Sequence, residues 1–131
     1  MLTTFYVTKG CEMKMSCKIA ICSTGSTPAS IVDERFGRCA YFMIWDPETK
    51  AYAPLSNTST ESAHGAGTGA IQKLAENKVG LILSQRIGPK AFAVLEQVDI
   101  KIFSGITGKT VAEALKSYED GELQELLTPN N

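Results

Sequence analysis

The segment Asp33-Glu-Arg-Phe-Gly-Arg-Cys-Ala-Tyr-Phe42 sets two guanidiniums, Arg35 and Arg38, and one thiol, Cys39, around Gly37. Glycine reaches backbone conformations closed to other residues, so a tight loop here could present all three groups together. Nearby positive charge lowers a thiol pKa, and the thiolate is a soft metal ligand. A plainer alternative stands beside this one: Phe36 plugs the core and both arginines are solvated. A second segment, His64-Gly-Ala-Gly-Thr-Gly69, leads into a helix. There Gly65, Gly67 and Gly69 would let the backbone approach a ligand, and the N–H groups of a helix start attract anions. His64 is the only histidine of the chain. Imidazole is a common ligand for iron and zinc, although a loop histidine taken alone says little.

Two further loops follow strands and precede helices, Ser84-Gln-Arg-Ile-Gly-Pro89, with Arg86 and Gly88, and Ser104-Gly-Ile-Thr-Gly-Lys-Thr110. The second is not a phosphate loop, because Gly105 and Gly108 are separated by two residues where that motif needs four. Nor is the GxGxG of residues 65–69 the GxGxxG of a dinucleotide site. The four cysteines, at 11, 17, 22 and 39, form no CxxC pair and are expected as free thiols. Each is more simply read as a small buried hydrophobe than as a ligand. Cys22, near the end of a strand, ranks below Cys39 as a further ligand, since strand alternation buries it more simply.

The elements that must position these groups follow from periodicity. Residues 1–16 lack it and read as a poorly ordered extension, with Met1, Met13 and Met15 all candidate starts. The run CKIAICS (17–23) has the β-branched character of a strand buried on both faces. Residues 40–46 and 51–56 flank the turn Pro47-Glu-Thr-Lys50 as a hairpin. Residues 70, 71, 74 and 75 give an apolar helical stripe. A strand over 79–84 precedes a helix with Pro89 as its first residue and Ala91, Val94, Leu95 and Val98 inward. A fifth strand covers 100–103. Thr110-Val-Ala-Glu113 then reads as a capping box opening a helix with Val111, Ala114, Leu115 and Tyr118 inward. A last helical turn is expected around 122–127, before a polar tail at 128–131. One domain over 17–127 results, with helices covering both faces of a mixed sheet in a three-layer α/β/α sandwich of ribonuclease H-like architecture.

The bulk numbers narrow the function. A chain of 131 residues, 44% hydrophobic, is one globular domain. Thirteen basic against fourteen acidic side chains leave a charge of -1, which favours no nucleic acid. No apolar run suits a membrane span, and the opening residues lack the apolar core of a secretion signal, so the expected location is cytoplasmic.

Taken in order, KIAICS, VDERFGRCAYFMIWD, HGAGTGAIQKL, VGLILSQRIGPKAFAVL, IKIFSG and TVAEALKSYEDGEL make the chain resemble the dinitrogenase iron-molybdenum cofactor-binding family, which includes NifX, NafY and the C-terminal domain of NifB. The likeness runs from about Cys17 to Leu126 and is most specific at FGRC and at the strand-loop-IGP-helix segment. It implies a five-stranded mixed sheet with strand 2 antiparallel to the rest. Cys39, His64, the glycine-rich helix start, Arg86 to Gly88 and Ser104-Gly105 would then converge at one sheet edge, where ligands of open α/β sheets bind. It also implies a non-catalytic carrier that transiently binds an iron-sulfur cluster or iron-molybdenum cofactor precursor and exchanges it with donor and acceptor proteins. Cys39, His64 and Cys22 are its candidate metal ligands. Nitrogenase-associated members often carry histidine just before the FG pair; here that position is Arg35, which cannot coordinate in its place.

Two other readings compete. A nuclease of the ribonuclease H type needs convergent carboxylates for metal ions, and strand 1 has no acid. A small-anion or protein-interaction module of the same fold needs no metal; it expects Cys39 to be dispensable and Arg35, Arg38 and Arg86 to matter. The chain is expected as a monomer or a homodimer, the latter through the edge of strand 3.

Overall fold

The continuous apolar run after Cys17 forms β1 (Lys18–Ser23), buried along nearly its whole length. In the computed structural model the described residues are 17–36, 38–57 and 66–129. The extension 1–16 lies outside them. β2 (Tyr41–Asp46) and β3 (Ala51–Ser56) form the expected hairpin. Its turn is closed by the Lys50 N–H donating to the Asp46 carbonyl at 2.7 Å and the Glu48 N–H to the Asp46 carboxylate at 2.9 Å. The chain continues through α1 (Ala66–Glu76), β4 (Val79–Leu83), α2 (Pro89–Gln97), β5 (Lys101–Ser104), α3 (Val111–Glu119) and β6 (Gln124–Glu125).

These strands make one mixed sheet in the order β3-β2-β1-β4-β5-β6. β1, β4 and β5 are parallel, while β2 and β6 run against their neighbours. The sheet therefore has six strands rather than five, and two antiparallel members rather than one. The difference arises at Glu122 to Leu127, whose spacing suggests a helical turn. Gly121, at φ +76°, ends the preceding turn, and the segment pairs with the open edge of β5, with Phe103 opposite Glu125 and Leu126 N–H donating to Ile102 O at 2.8 Å. An unpaired strand edge offers hydrogen bonds that a two-residue-wide helical preference cannot match.

Each sheet face carries its own apolar cluster. Ala20, Cys22, Phe42 and Ile44 pack with Ala70, Ile71 and Leu74 of α1 and Phe92 and Leu95 of α2. Ile19, Ile21, Met43, Leu81 and Leu83 pack with Val111, Ala114 and Leu115 of α3. Alternation breaks once, in β4, where Val79 and Ile82 share a face; the pairing with β1 slips by one residue at Gly80. In α2 the inward residue missing from the periodic reading is Phe92, and Val98 is 43% exposed because the helix ends at Gln97 and Val98 is its C-cap. The Thr110–Glu113 capping box is present in both directions, at 3.1 and 2.9 Å. β3 is an edge strand, as required for pairing between subunits, but Pro54 in its middle has no N–H to donate to another chain.

Candidate functional site

β1, β3, β4 and β5 all end at the same sheet edge at which β2 begins, and the loops leaving that edge are stitched to one another. Asp33 N–H donates to Cys22 O at 2.9 Å, so the chain leaving β1 returns to it. The next residues meet the loop after β4. Arg86 N–H donates to Glu34 O at 2.7 Å and Phe36 N–H to Arg86 O at 3.0 Å, a parallel bridge between Arg35 and Arg86. Phe36 is the anchor beneath this bridge, 8% exposed with its ring 5.6 Å from that of Phe42. Burying that ring leaves its polar neighbours outside: Arg35, Arg38 and Arg86 are all exposed. The loop thus plugs the core through Phe36 and also sets two arginines side by side on adjoining segments. Arg38 follows one turn later, its N–H donating to Arg35 O at 3.3 Å. Glu34 lies 4.0 Å from the Arg86 guanidinium, a solvated pair of small energetic weight.

Cys39 is fully buried, so its sulfur is turned into the core rather than presented on the loop. Cys22, also fully buried, belongs to the same cluster. The two thiols are within hydrogen-bonding reach, and Ser84 lies against Cys22 as well. Burial pushes the Cys22 thiol well above its ordinary range, and the contacts with Cys39 add to this. Cys22 is therefore held as the neutral thiol. Asn57, 4% exposed, fixes the Cys39 turn by donating from Nδ2 to Cys39 O at 2.9 Å.

The other expected groups divide. Gly88 is the N-cap of α2 and supplies no side-chain cap, and Pro89 at the first position has no N–H to occupy. Gly67 and Gly69 fall inside α1, which begins at Ala66, four residues ahead of its apolar stripe. Gly37, His64 and Gly65 lie outside the described residues. The Ser104-Gly105 turn is closed to a ligand by the protein itself. Gly105, at φ +110°, and Ile106 both donate N–H to Gln85 Oε1, at 3.0 and 3.1 Å. The start of α3 is likewise satisfied, with Val111 N–H on Ser30 O and Ala112 N–H on Pro28 O beside the capping box. Among the described residues, the start of α2 follows Arg86 by two residues and carries no side-chain cap.

Asn57, Ser84 and Gln85 are the site residues that sequence reasoning missed. The only signal for Asn57 was register: with Tyr41 opposite Ser56, the residue after β3 faces the turn before β2. Among the described residues, no cluster of three or more His, Cys, Asp or Glu side chains is grouped to hold a metal ion. A groove of about 600 Å³ opens at the opposite sheet edge, between Cys17, Lys18, Asp46, Glu48, Lys78 and Ile100. None of the residues singled out for chemistry lines it.

A family model described as dinitrogenase iron-molybdenum cofactor matches residues 15–121. An uncharacterised protein of Methanocaldococcus jannaschii is 34% identical over 93 residues, which are 69% of this chain and 78% of that protein. The apo form of the orange protein from Desulfovibrio gigas superposes with a TM-score of 0.84 at 36% identity, covering 87% of this chain and 96% of that one. An NMR structure of a NifB-assigned protein from Thermotoga superposes with a TM-score of 0.79 at 33% identity, covering 88% and 97%.

Proposed function

From the premise that this chain belongs to the dinitrogenase iron-molybdenum cofactor family, we propose that it is a non-catalytic carrier that binds an anionic metal-sulfur cluster at the arginine-bridged edge and passes it on. The observation that carries this reading is the Arg35–Arg86 bridge, which sets two exposed guanidiniums on adjoining segments, one of them tied back to the buried Cys22 through Asp33. Guanidiniums are weakly hydrated and donate several N–H bonds, so they suit the diffuse negative charge of cluster sulfides better than ammonium groups would. The start of α2, with its positive dipole end, adds to the attraction. Cargo held this way contacts the exposed arginines first. Cys39, with Cys22 behind it, becomes a ligand if the turn carrying it opens, and His64 is the further candidate. Such weak outer contacts suit transient binding and release. Helices on both sheet faces support the three-layer, ribonuclease H-like description of the architecture. The cargo class points to a cytoplasmic setting with separate donor and acceptor proteins.

One observation favours a second reading: the thiols are buried and the accessible groups at this edge are guanidiniums. A small-anion module without metal would look the same. The test offers the anaerobic protein an iron-sulfur cluster source. It compares wild type, Cys39→Ala and the triple variant Arg35→Gln, Arg38→Gln, Arg86→Gln by bound iron and visible absorption. The carrier reading expects stoichiometric iron in wild type and its loss in the triple variant. A drop in Cys39→Ala assigns the thiol as a ligand. A colourless, iron-free wild type under conditions that load an established carrier overturns the cluster reading. Arginine-dependent binding of inorganic oxyanions would then favour the second.

A further inference from the structure

Three cysteines are described, and two of them meet. Cys22 sits on β1 opposite Phe42, and Cys39 lies three residues before Phe42 on the turn entering β2. Both are fully buried, both face the apolar cluster covered by α1 and α2, and their sulfurs are within hydrogen-bonding reach. Cys17, by contrast, precedes β1 at the far edge, in the wall of the groove there. A lone buried cysteine serves as a small hydrophobe, but two that neighbour each other in one cluster can also be joined. A core position needs only a small apolar side chain, which alanine supplies without redox chemistry.

We infer that Cys22 and Cys39 form an intramolecular disulfide when the protein meets a two-electron oxidant such as hydrogen peroxide. The backbone permits the closure on one side only. Cys22 is fixed in a central strand, paired to β2 and β4 on either hand. Cys39 lies on a bend outside regular structure, between the exposed residues Arg38 and Ala40. To close the covalent bond that turn must bring its sulfur to about 2.05 Å from the sulfur of Cys22. The Asn57 hydrogen bond to Cys39 O acts as the pivot.

The same asymmetry assigns the order of events. Local opening of the turn exposes Cys39, whose thiolate attacks one peroxide oxygen; the O–O bond breaks and the departing hydroxide takes up a proton as water. Cys39 is then the sulfenic acid. The Cys22 sulfur attacks the Cys39 sulfur, the S–O bond breaks, and the hydroxyl leaves with the Cys22 proton as a second water. Two thiols have lost two electrons and peroxide has been reduced to two waters. The disulfide would also tether the Arg35–Arg38 loop to β1 and withdraw both sulfurs from any metal. That last consequence rests on cluster binding; the disulfide itself does not.

The test uses the full chain, reduced, freed of reductant and exposed to hydrogen peroxide under native conditions. Remaining thiols are alkylated after denaturation, and the tryptic digest is read by mass spectrometry. The expected product is peptide 19–35 joined to peptide 39–50, lost on treatment with dithiothreitol and absent from Cys22→Ala. Pairing that scrambles to Cys11 or Cys17 in wild type, linkage only between chains, over-oxidation of Cys39 without a crosslink, or two thiols that stay reduced would each overturn the inference. Cluster loading of the oxidised protein is measured separately. If the disulfide forms and loading is unchanged, the redox pair stands and its coupling to cargo fails.

Discussion

Asn57 holds the turn that presents Cys39, and its removal has a cost that follows from the structure. The side chain is 4% exposed and donates from Nδ2 to the carbonyl of Cys39, a residue with no exposure, at 2.9 Å. In Asn57→Ala that carbonyl loses its donor in a place water does not reach. Leaving a buried acceptor unpaired costs roughly 1–3 kcal/mol, so the folding equilibrium falls by about 5- to 150-fold. For a chain of 131 residues this is a fall of roughly 4–11 °C in Tm. Asn57→Asp gives a sharper test, because it preserves shape and replaces the donor by an acceptor. The buried carboxyl, facing a carbonyl, favours its protonated form, so its folded pKa lies above the unfolded value of about 3.9. A group with a raised folded pKa keeps its stability below the unfolded pKa and loses it as pH rises through the folded pKa. Asn57→Asp should therefore approach wild-type stability near pH 4 and fall furthest behind it at neutral pH. Urea unfolding followed by Trp45 fluorescence, with wild type measured at every pH, gives the difference directly. A wild-type midpoint in Asn57→Ala, or an Asn57→Asp deficit that does not grow with pH, would refute the role given to this bond.

Other perturbations separate the parts of the edge. Phe36→Ala should destabilise by about 3–5 kcal/mol, the usual cost of emptying a buried aromatic site, and urea midpoints measure it. Thr110→Ala removes the 3.1 Å bond from Glu113 N–H; a loss of about 1 kcal/mol by calorimetry, with cluster loading unchanged, is expected because α3 packs on the sheet face opposite to that of Phe36 and Ile87. Cys22 has its folded pKa raised by burial, so its contribution to stability is present below the unfolded thiol range and lost as pH climbs above it. Wild type should lose stability in the alkaline range more steeply than Cys22→Ala. Tyr52, also raised by burial, gives both proteins the same background slope, and equal slopes would show that Cys22 does not contribute.

The path from residues to site was uneven. The hairpin, the capping box, Pro89 as a helix start and the stripe of α1 were legible because each rests on contacts within a few residues. The arginine loop was legible as chemistry but not as geometry: nothing local says that Arg35 would pair with Arg86, fifty-one positions away. Cys39 reads from its arginine neighbours as a presented thiolate. The folded chain turns it inward because Phe36 and Phe42 meet and carry the intervening turn onto the apolar cluster. The resemblance placed Ser104-Gly105 at the ligand edge, and Gln85 closes the N–H groups of Gly105 and Ile106 from a loop twenty residues earlier.

By itself the sequence determined the family, the succession of strands and helices up to α3, and the residue types at the working edge, since periodicity, caps and turns are short-range properties of the chain. The tertiary structure alone decided that Glu122 to Leu127 pairs as a sixth strand, that Gly80 slips the register of β4, that the Ser104-Gly105 turn is already satisfied, and that Cys22 and Cys39 are neighbours in one buried cluster. Each of these depends on which partners the remaining hydrogen bonds and apolar surfaces find across the sheet, and that is set only when distant segments compete for the same edge or the same volume.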